Sequence, residues 1–303
     1  MSAAITIAQT QRLVGRVLAD KFRLNACIGI GGTGAVYRAE QIALGRTVAV
    51  KILNEDLASD PRLVNRFRDE AMAASRLNHP NTVSIIDYGQ TSDGLLYLAM
   101  EHLRGLTLTQ IITRESPLPA PRVVDIVVQI LSGIEEAHYA GVVHADLKSD
   151  NIIVEQRRAG RDVVKIVDFG IARLVHNPQV PSGDDRNICG TPEYMAPEVI
   201  TGGPPGYAAD LYAVAIIMYE LLTGETPYLA ASTVDILTRH LRAEPAPLAS
   251  RRSDLSLAPE LDAFLKRGLA KRPADRFSSA EEMREALLSL ESKFTPPSVA
   301  LPS

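Results

Sequence analysis

The hydrophobic period of this chain changes once, near Gly105, and that change constrains the fold more than any other feature. Before it, apolar residues recur in short alternating runs interrupted by glycine. Phe22-Arg23-Leu24 leads into Gly29-Ile30-Gly31-Gly32-Thr33-Gly34 and then Ala35-Val36-Tyr37-Arg38, which predicts strand, glycine turn, strand. Arg46–Leu53 (RTVAVKIL) is another β-branched stretch, and two more strands are expected over 83–88 and 95–101. Between them Asp60-Pro61 opens a helix with Leu63, Phe67, Ala71 and Ala74 on one face. After Gly105, Val123, Ile126, Val127, Ile130 and Ile134 recur at helical spacing in a long helix ending near Gly141. Two short strands over 152–155 and 163–167 follow, then helices over 208–223, 233–242, 259–270 and 279–291. The expected class is α+β with two lobes: a small β-rich N-lobe carrying one main helix, and a larger helical C-lobe, joined near 101–106.

Composition supports this and excludes several functions. With 46% hydrophobic and 22% charged residues, a 303-residue chain has ample material for a core and no signature of disorder. A net charge of −4 and a pI near 5.9 argue against a dedicated nucleic-acid binder. Cys27 and Cys189 stand far apart with no His or Cys at metal-ligand spacing, which favours a reducing, cytoplasmic setting without structural zinc. The first 20 residues include Arg12, Arg16 and Asp20 and lack a secretory h-region. The most apolar run, 211–222, is only 12 residues long and predicts a buried helix, with no membrane insertion by this segment. Residues 1–14 are expected to form a loosely ordered leader, and 292–303 a proline-rich tail or linker.

Glycines at 29, 31 and 34 let a hairpin lie close over a ligand and offer backbone N–H groups to phosphate oxygens. Alone, the same sequence also suits a hairpin with no ligand. Because a strand follows the loop, a dinucleotide-binding Rossmann unit is disfavoured, and the Gly-Lys-Ser/Thr ending of a Walker loop is missing. Alternation in Val48-Ala49-Val50-Lys51 points the Lys51 ammonium to the same face as Ala49, whose small side chain leaves room for a flat ring. Lys51 by itself could be an ordinary strand lysine. Glu70, however, lies on the apolar face of its helix, where an unpaired carboxylate is costly, and Lys51 is its natural partner.

The decisive segment is His144-Ala145-Asp146-Leu147-Lys148-Ser149-Asp150-Asn151, followed 17 residues later by Asp168-Phe169-Gly170. Asp146 and Asn151 share a loop at a spacing that lets a base and a metal ligand face one cavity. Asp168 follows a hydrophobic strand and precedes a glycine within two residues, well placed to reach a cation. Two oxygen ligands plus substrate phosphates suit Mg²⁺. Phosphoryl transfer needs little more than charge neutralisation, in-line positioning and a group to receive the hydroxyl proton.

With these motifs in order, the chain resembles the eukaryotic-type protein serine/threonine kinases, in the manner of their bacterial members, from about Gly15 to Glu291. Further matching residues are Gly190-Thr191-Pro192-Glu193-Tyr194-Met195-Ala196-Pro197-Glu198, Asp210, and Arg276 in RPADRF. The resemblance implies a protein-kinase-like fold over 15–291, with N-lobe 15–101, hinge 101–106 and C-lobe 107–291. It implies ATP as phosphate donor with Mg²⁺ (Mn²⁺ as an alternative), protein substrates with Ser/Thr acceptors, autophosphorylation, and compatibility with dimerisation. It assigns Lys51 to the α/β-phosphates, Glu70 to Lys51, Asp146 to the substrate hydroxyl and Lys148 to the γ-phosphate. Asn151 and Asp168 would hold the metal. Ile28, Gly29, Gly31, Gly34, Val36 and Ala49 would cover the nucleotide, with Met100 as gatekeeper and Glu101 and Leu103 in the hinge that meets adenine. Glu198 and Arg276 resemble the buried ion pair that anchors the activation segment, Thr191 the residue that packs against the catalytic loop, and Asp210 a further structural or regulatory residue of the family. Lysine two residues after Asp146, with Thr191, favours Ser/Thr over Tyr specificity.

Two departures stand out. Position 145 is alanine where many members have arginine, the residue that normally pairs with a phosphate on the activation loop. Between Gly170 and Gly190 there is Ser182 but no threonine, so activity is expected not to depend on phosphorylation there; Asp184 and Asp185 are expected to be solvated. Ala213-Val214-Ala215 replaces the usual serine and glycine of its helix, a change expected to affect packing only. Two other readings compete: a pseudokinase-type nucleotide-binding scaffold, opposed by Lys51, Asp146, Asn151 and Asp168 all being present, and a small-molecule kinase, opposed by the 190–198 segment. Many bacterial relatives continue into a membrane span, and the chain is compatible with being the cytoplasmic domain of such a protein.

Overall fold

The computed structural model describes residues 11–31, 34–53, 61–156, 162–169, 191–255 and 258–294. Gly32, Gly170, Ser182, Asp184, Asp185, Cys189 and Gly190 lie outside the described residues, as does the side chain of Glu70.

Strands β1 (Val17–Leu18), β2 (Phe22–Gly31), β3 (Gly34–Gln41), β4 (Arg46–Leu53), β5 (Ile85–Gln90) and β6 (Leu96–Glu101) form an antiparallel sheet in the order β1-β2-β3-β4-β6-β5. Alternation along β4 explains how the sheet is buried. Val48 and Val50 pack on one face with Leu24, Tyr37 and Ala99, while Ala49 and Leu53 pack on the other with Leu98 and Met100. Helix α1 (Pro61–Ala74) closes this second face with Phe67 and Ala71. The strand expected over 83–88 begins at Ile85 instead, because the Val83 amide donates to the Ile166 carbonyl (2.9 Å) and so binds the other lobe.

The second lobe begins with β7 (Leu106–Thr107), which pairs with β8 (Ile152–Gln156), itself paired with β9 (Asp162–Ile166). Helix α2 (Leu108–Glu115) was not among the expected helices. Its start is a capping box in which Thr107 accepts from the Gln110 amide and the Gln110 side chain accepts from the Thr107 amide. The remaining helices are α3 (Ala120–Tyr139), α4 (Pro197–Ile200), α5 (Tyr207–Thr223), α6 (Thr233–Arg242), α7 (Leu248–Arg251), α8 (Ala258–Gly268) and α9 (Ala280–Phe294). Helix α5 is apolar nearly all round because it is the axis of the lobe, with its buried residues running from Ala209 to Leu222. It stops at Gly224, whose φ of +88° is the left-handed conformation that ends helices. Helix α3 packs against α5, α9 and β9, and so carries the segment that follows it, with His144 and Asp146, on a rigid base. Among the described residues no helix is long and apolar enough to cross a membrane.

Candidate active site

The start of the loop between α3 and β8 is held by a buried carboxylate. Asp210, 2% exposed on α5, accepts from the main-chain amides of His144 and Ala145 and contacts His138 Nε2, each at 2.9 Å. This grip keeps Ala145 at φ +67°, a left-handed conformation that costs a β-carbon residue about 1 kcal/mol or more. Asp146 follows immediately. Asp168 has the same kind of backbone, at φ +63°, so strain sits in both of the segments expected to carry chemistry.

Around Asp146 the expected partners gather. Lys148 Nζ lies 3.0 Å from Asp146 Oδ2 and donates to Thr191 Oγ1 at 2.8 Å, joining the catalytic loop to the segment after residue 190. Asn151 Nδ2 donates to the Asp146 carbonyl at 2.8 Å, and the Asn151 carbonyl accepts from the Val167 amide at 2.9 Å. Asn151 and Asp168 are thereby brought to neighbouring backbone positions, and the amide oxygen of Asn151 stays free of these bonds. Lys51, 4% exposed on β4, places Nζ 2.9 Å from Asp168 Oδ2. The expected Lys51–Glu70 pair falls on a side chain outside the described residues. Phe169 is buried and packs against His144 in a tilted arrangement with ring centroids 4.9 Å apart, while His144 Nε2 meets the Val167 carbonyl at 2.9 Å.

Four of the nucleotide-binding candidates share one apolar cluster. Ala49 and Met100 lie in a single apolar cluster, with Val36, Leu103 and Val167 packed against it. Register places Val36 opposite Lys51 and Ala49 opposite Met100. Gly29 pairs with Val36 and Gly31 with Gly34 across the hairpin, leaving Ile28 and Ile30 about half exposed. Gly34 is required by close approach: a Cβ there would fall 2.1 Å from the Ile52 carbonyl oxygen. The Glu101 side chain turns away from this cluster, accepting from the Ser84 amide (2.9 Å) and from Lys165 (2.7 Å), so only its main chain is left for a ligand.

Arg276 forms a two-pronged pair with Glu198 (2.8 and 2.7 Å) and also donates to the Ala270 and Ala208 carbonyls. The arginine side chain is fully buried, but Glu198 keeps 22% exposure, so only one partner of the pair is buried as expected. Cys27, free and half-buried on β2, directs Sγ at the Gly29 carbonyl.

A second carboxylate was missed in the sequence. Glu220, near the end of α5, accepts from Ser149 Oγ (2.5 Å) and Tyr194 Oη (2.7 Å), tying the catalytic loop to the segment around Pro192. Burial raises the pKa of Glu220 and, with the Glu220 charge, that of Tyr194. A lone carboxylate within a run as apolar as 211–222 and its continuation was the available signal. Beside Asp146 a cleft opens, lined by Thr191, Tyr194, Met195, Ala196 and Val199. Ala145 and Ala213, two of the three alanines at the departures from the family pattern, also line it.

The arrangement has known counterparts. The pattern of the protein kinase domain family matches residues 22–288. Over 284 residues the chain is 46% identical to the serine/threonine-protein kinase pkn3 of Myxococcus xanthus, covering 93% of this chain and 52% of that protein. It is 36% identical over 274 residues to the serine/threonine-protein kinase PknB of Mycolicibacterium smegmatis, covering 89% of this chain and 43% of that one. The chain thus spans about half the length of these curated relatives. The crystal structure of the Mycobacterium tuberculosis PknI kinase domain superposes with a TM-score of 0.72 at 29% identity, covering 92% of this chain and 98% of that one. The chain belongs to the protein kinase family, as a bacterial member of its eukaryotic-type serine/threonine branch.

Proposed function

We propose that this chain transfers the γ-phosphate of ATP to serine and threonine hydroxyls of proteins, itself included. The observation that carries the proposal is the close grouping of Asp146, Lys148 and Thr191, linked through Asn151 and the Val167 amide to the strand end that carries Asp168, itself paired with Lys51. Asp146 orients the acceptor hydroxyl and takes its proton as the oxygen attacks. Lys148, within reach of Asp146 and Thr191, offsets the negative charge on the transferred group. Lys51, with Glu70 as partner, holds the α/β-phosphates, while Val36, Ala49, Met100 and Leu103 enclose the base. The cleft beside Asp146 supports a polypeptide substrate in preference to a small molecule.

Asn151 and Asp168 fit a divalent cation: both offer hard oxygen donors, and their backbones are joined through the Val167 amide. Two protein oxygens would leave room in the shell of such a cation for phosphate and water. Mg²⁺ suits that shell, with Mn²⁺ as a substitute; when bound it neutralises phosphate charge. Lys51 and Asp168 now balance each other at 2.9 Å, and a phosphate on the first and a cation on the second would preserve that balance. We retain 15–101 as N-lobe, 101–106 as hinge and 107–291 as C-lobe of the catalytic unit.

The test is transfer from labelled Mg-ATP to the chain itself and to a generic basic protein, comparing wild type with Asp168→Asn. Label on Ser or Thr that disappears in the variant supports the enzyme and its metal site together. No transfer by either, with nucleotide binding intact, refutes the enzymatic reading in favour of a nucleotide-binding scaffold.

A further inference from the structure

The hinge is fastened from below by a lysine that lies outside the active site. Lys165 sits on β9 of the C-lobe, and its ammonium donates to Glu101 Oε1 at 2.7 Å and to the Thr82 carbonyl at 3.1 Å. Glu101 is the last residue of β6, where the chain leaves the N-lobe. The same carboxylate oxygen accepts from the Ser84 amide at 2.9 Å, and the Glu101 amide donates back to the Ser84 carbonyl at 3.0 Å. The segment before β5 is fixed to β9 as well. Val83 N donates to the Ile166 carbonyl and Ile166 N to the Asn81 carbonyl, both at 2.9 Å, and Asn81 Nδ2 donates to the Val164 carbonyl at 2.8 Å. The two places where chain passes between β9 and the N-lobe edge, 81–85 and 100–103, therefore meet at one ammonium.

We propose that Lys165 is a positioning residue for nucleotide binding, which sets the hinge main chain of 101–103 against the adenine by holding the Glu101 side chain on the opposite side. The Lys165 side chain is 13% exposed and that of Glu101 32%, so solvent screens the pair less than a surface ion pair. Two contacts on the carboxylate and one on the main-chain amide of the same residue leave the peptide after Glu101 little freedom to rotate. A hinge already in its binding geometry loses less entropy when the base arrives. Without the ammonium, Glu101 retains only the Ser84 amide, and its side chain gains by turning toward water and taking the hinge peptide with it. Met100 and Leu103 pack in the apolar cluster above and would be less affected, so the loss is confined to the base and spares the phosphates on Lys51.

The inference rests on the ATP-dependent kinase reading, and the test separates the two. Wild type, Lys165→Met, Lys165→Arg, Glu101→Gln and the Lys165→Met/Glu101→Gln double variant are compared for KM of ATP, kcat, and inhibition constants of ADP and of inorganic tripolyphosphate, which has phosphates but no base. Lys165→Met is expected to raise the KM of ATP and the inhibition constant of ADP roughly three- to tenfold, as for a coupled, partly buried charge pair. It leaves tripolyphosphate inhibition unchanged and kcat within about twofold, the pattern of lost ground-state binding. Lys165→Arg restores most of the affinity, and the double variant is no weaker than Lys165→Met alone. Unchanged KM, or ADP and tripolyphosphate weakening together, overturns the positioning role. A wild-type chain that transfers no phosphate overturns the kinase reading, and this inference with it.

Discussion

Asp210→Asn tests whether the backbone of 144–145 is positioned by the carboxylate that accepts from it. Oδ2 accepts from the His144 amide and contacts His138, while Oδ1 accepts from the Ala145 amide, all at 2.9 Å. An asparagine can keep its oxygen on the side shared by His144 and His138. Its NH₂ then faces the Ala145 N–H, donor against donor. One charge-assisted bond is lost in a site 2% exposed, a cost of about 1.5–3 kcal/mol. Asp210→Ala removes all three contacts, and about 4.5–9 kcal/mol is a large share of the 5–15 kcal/mol that typically stabilises a domain. The asparagine variant is therefore the informative one: it should fold, with a lower urea midpoint. Ala145, released from its +67° conformation, relaxes and carries Asp146 with it, and a displacement near 1 Å lowers kcat about ten- to a hundredfold. ATP affinity, set in the other lobe, should stay within about threefold. Urea denaturation, steady-state kinetics and equilibrium nucleotide binding on one preparation decide the matter. An Asp210→Asn protein with wild-type midpoint and wild-type kcat would refute the argument that this grip positions the base.

Further outcomes follow from the same structure. Gly34→Ala should raise the KM for ATP at least about tenfold, because the added Cβ would meet the Ile52 carbonyl and push the glycine hairpin off β4; initial-rate kinetics measure it. His240 is buried between Tyr212 and Tyr228, and burial together with the Lys271 charge lowers its pKa to about 4. Its contribution is complete above pH 6.5 and is lost as pH falls from 6.5 toward 4, about 3 kcal/mol at 1.4 kcal/mol per pH unit. Urea midpoints across that window should slope less for His240→Gln than for wild type. With alanine at 145, phosphatase treatment should leave specific activity within about twofold; a collapse traced to phosphate lost between residues 170 and 190 would refute phosphorylation independence.

How much of this could be read in the chain itself depends on how local the cause is. The change of period near Gly105, the glycine hairpin and the helix spacings are set by near neighbours, and the expected elements appear within a few residues of their places. The chemistry-bearing residues were likewise visible, since Asp146, Lys148 and Asn151 share one loop and Asp168 follows one strand later. The capping box at Thr107 and Gln110 was equally local, and helix α2 could have been recognised from it. Other features depend on residues distant in sequence. Asp210 stands 65 residues from the amide of Ala145 that it holds, Glu220 stands 71 from Ser149, and Lys165 stands 64 from Glu101. Local pattern cannot say which buried carboxylate meets which loop, because that is decided when α5 becomes the axis of the lobe and β9 comes to rest beneath the hinge. The sequence by itself determined the order of strands and helices and the motifs that mark the family. Tertiary structure alone decided that Lys51 meets Asp168, that Asp210 and Glu220 secure the catalytic loop, and that Lys165 fastens the hinge, because a buried charge takes its partner from whatever the packed core brings within about 3 Å.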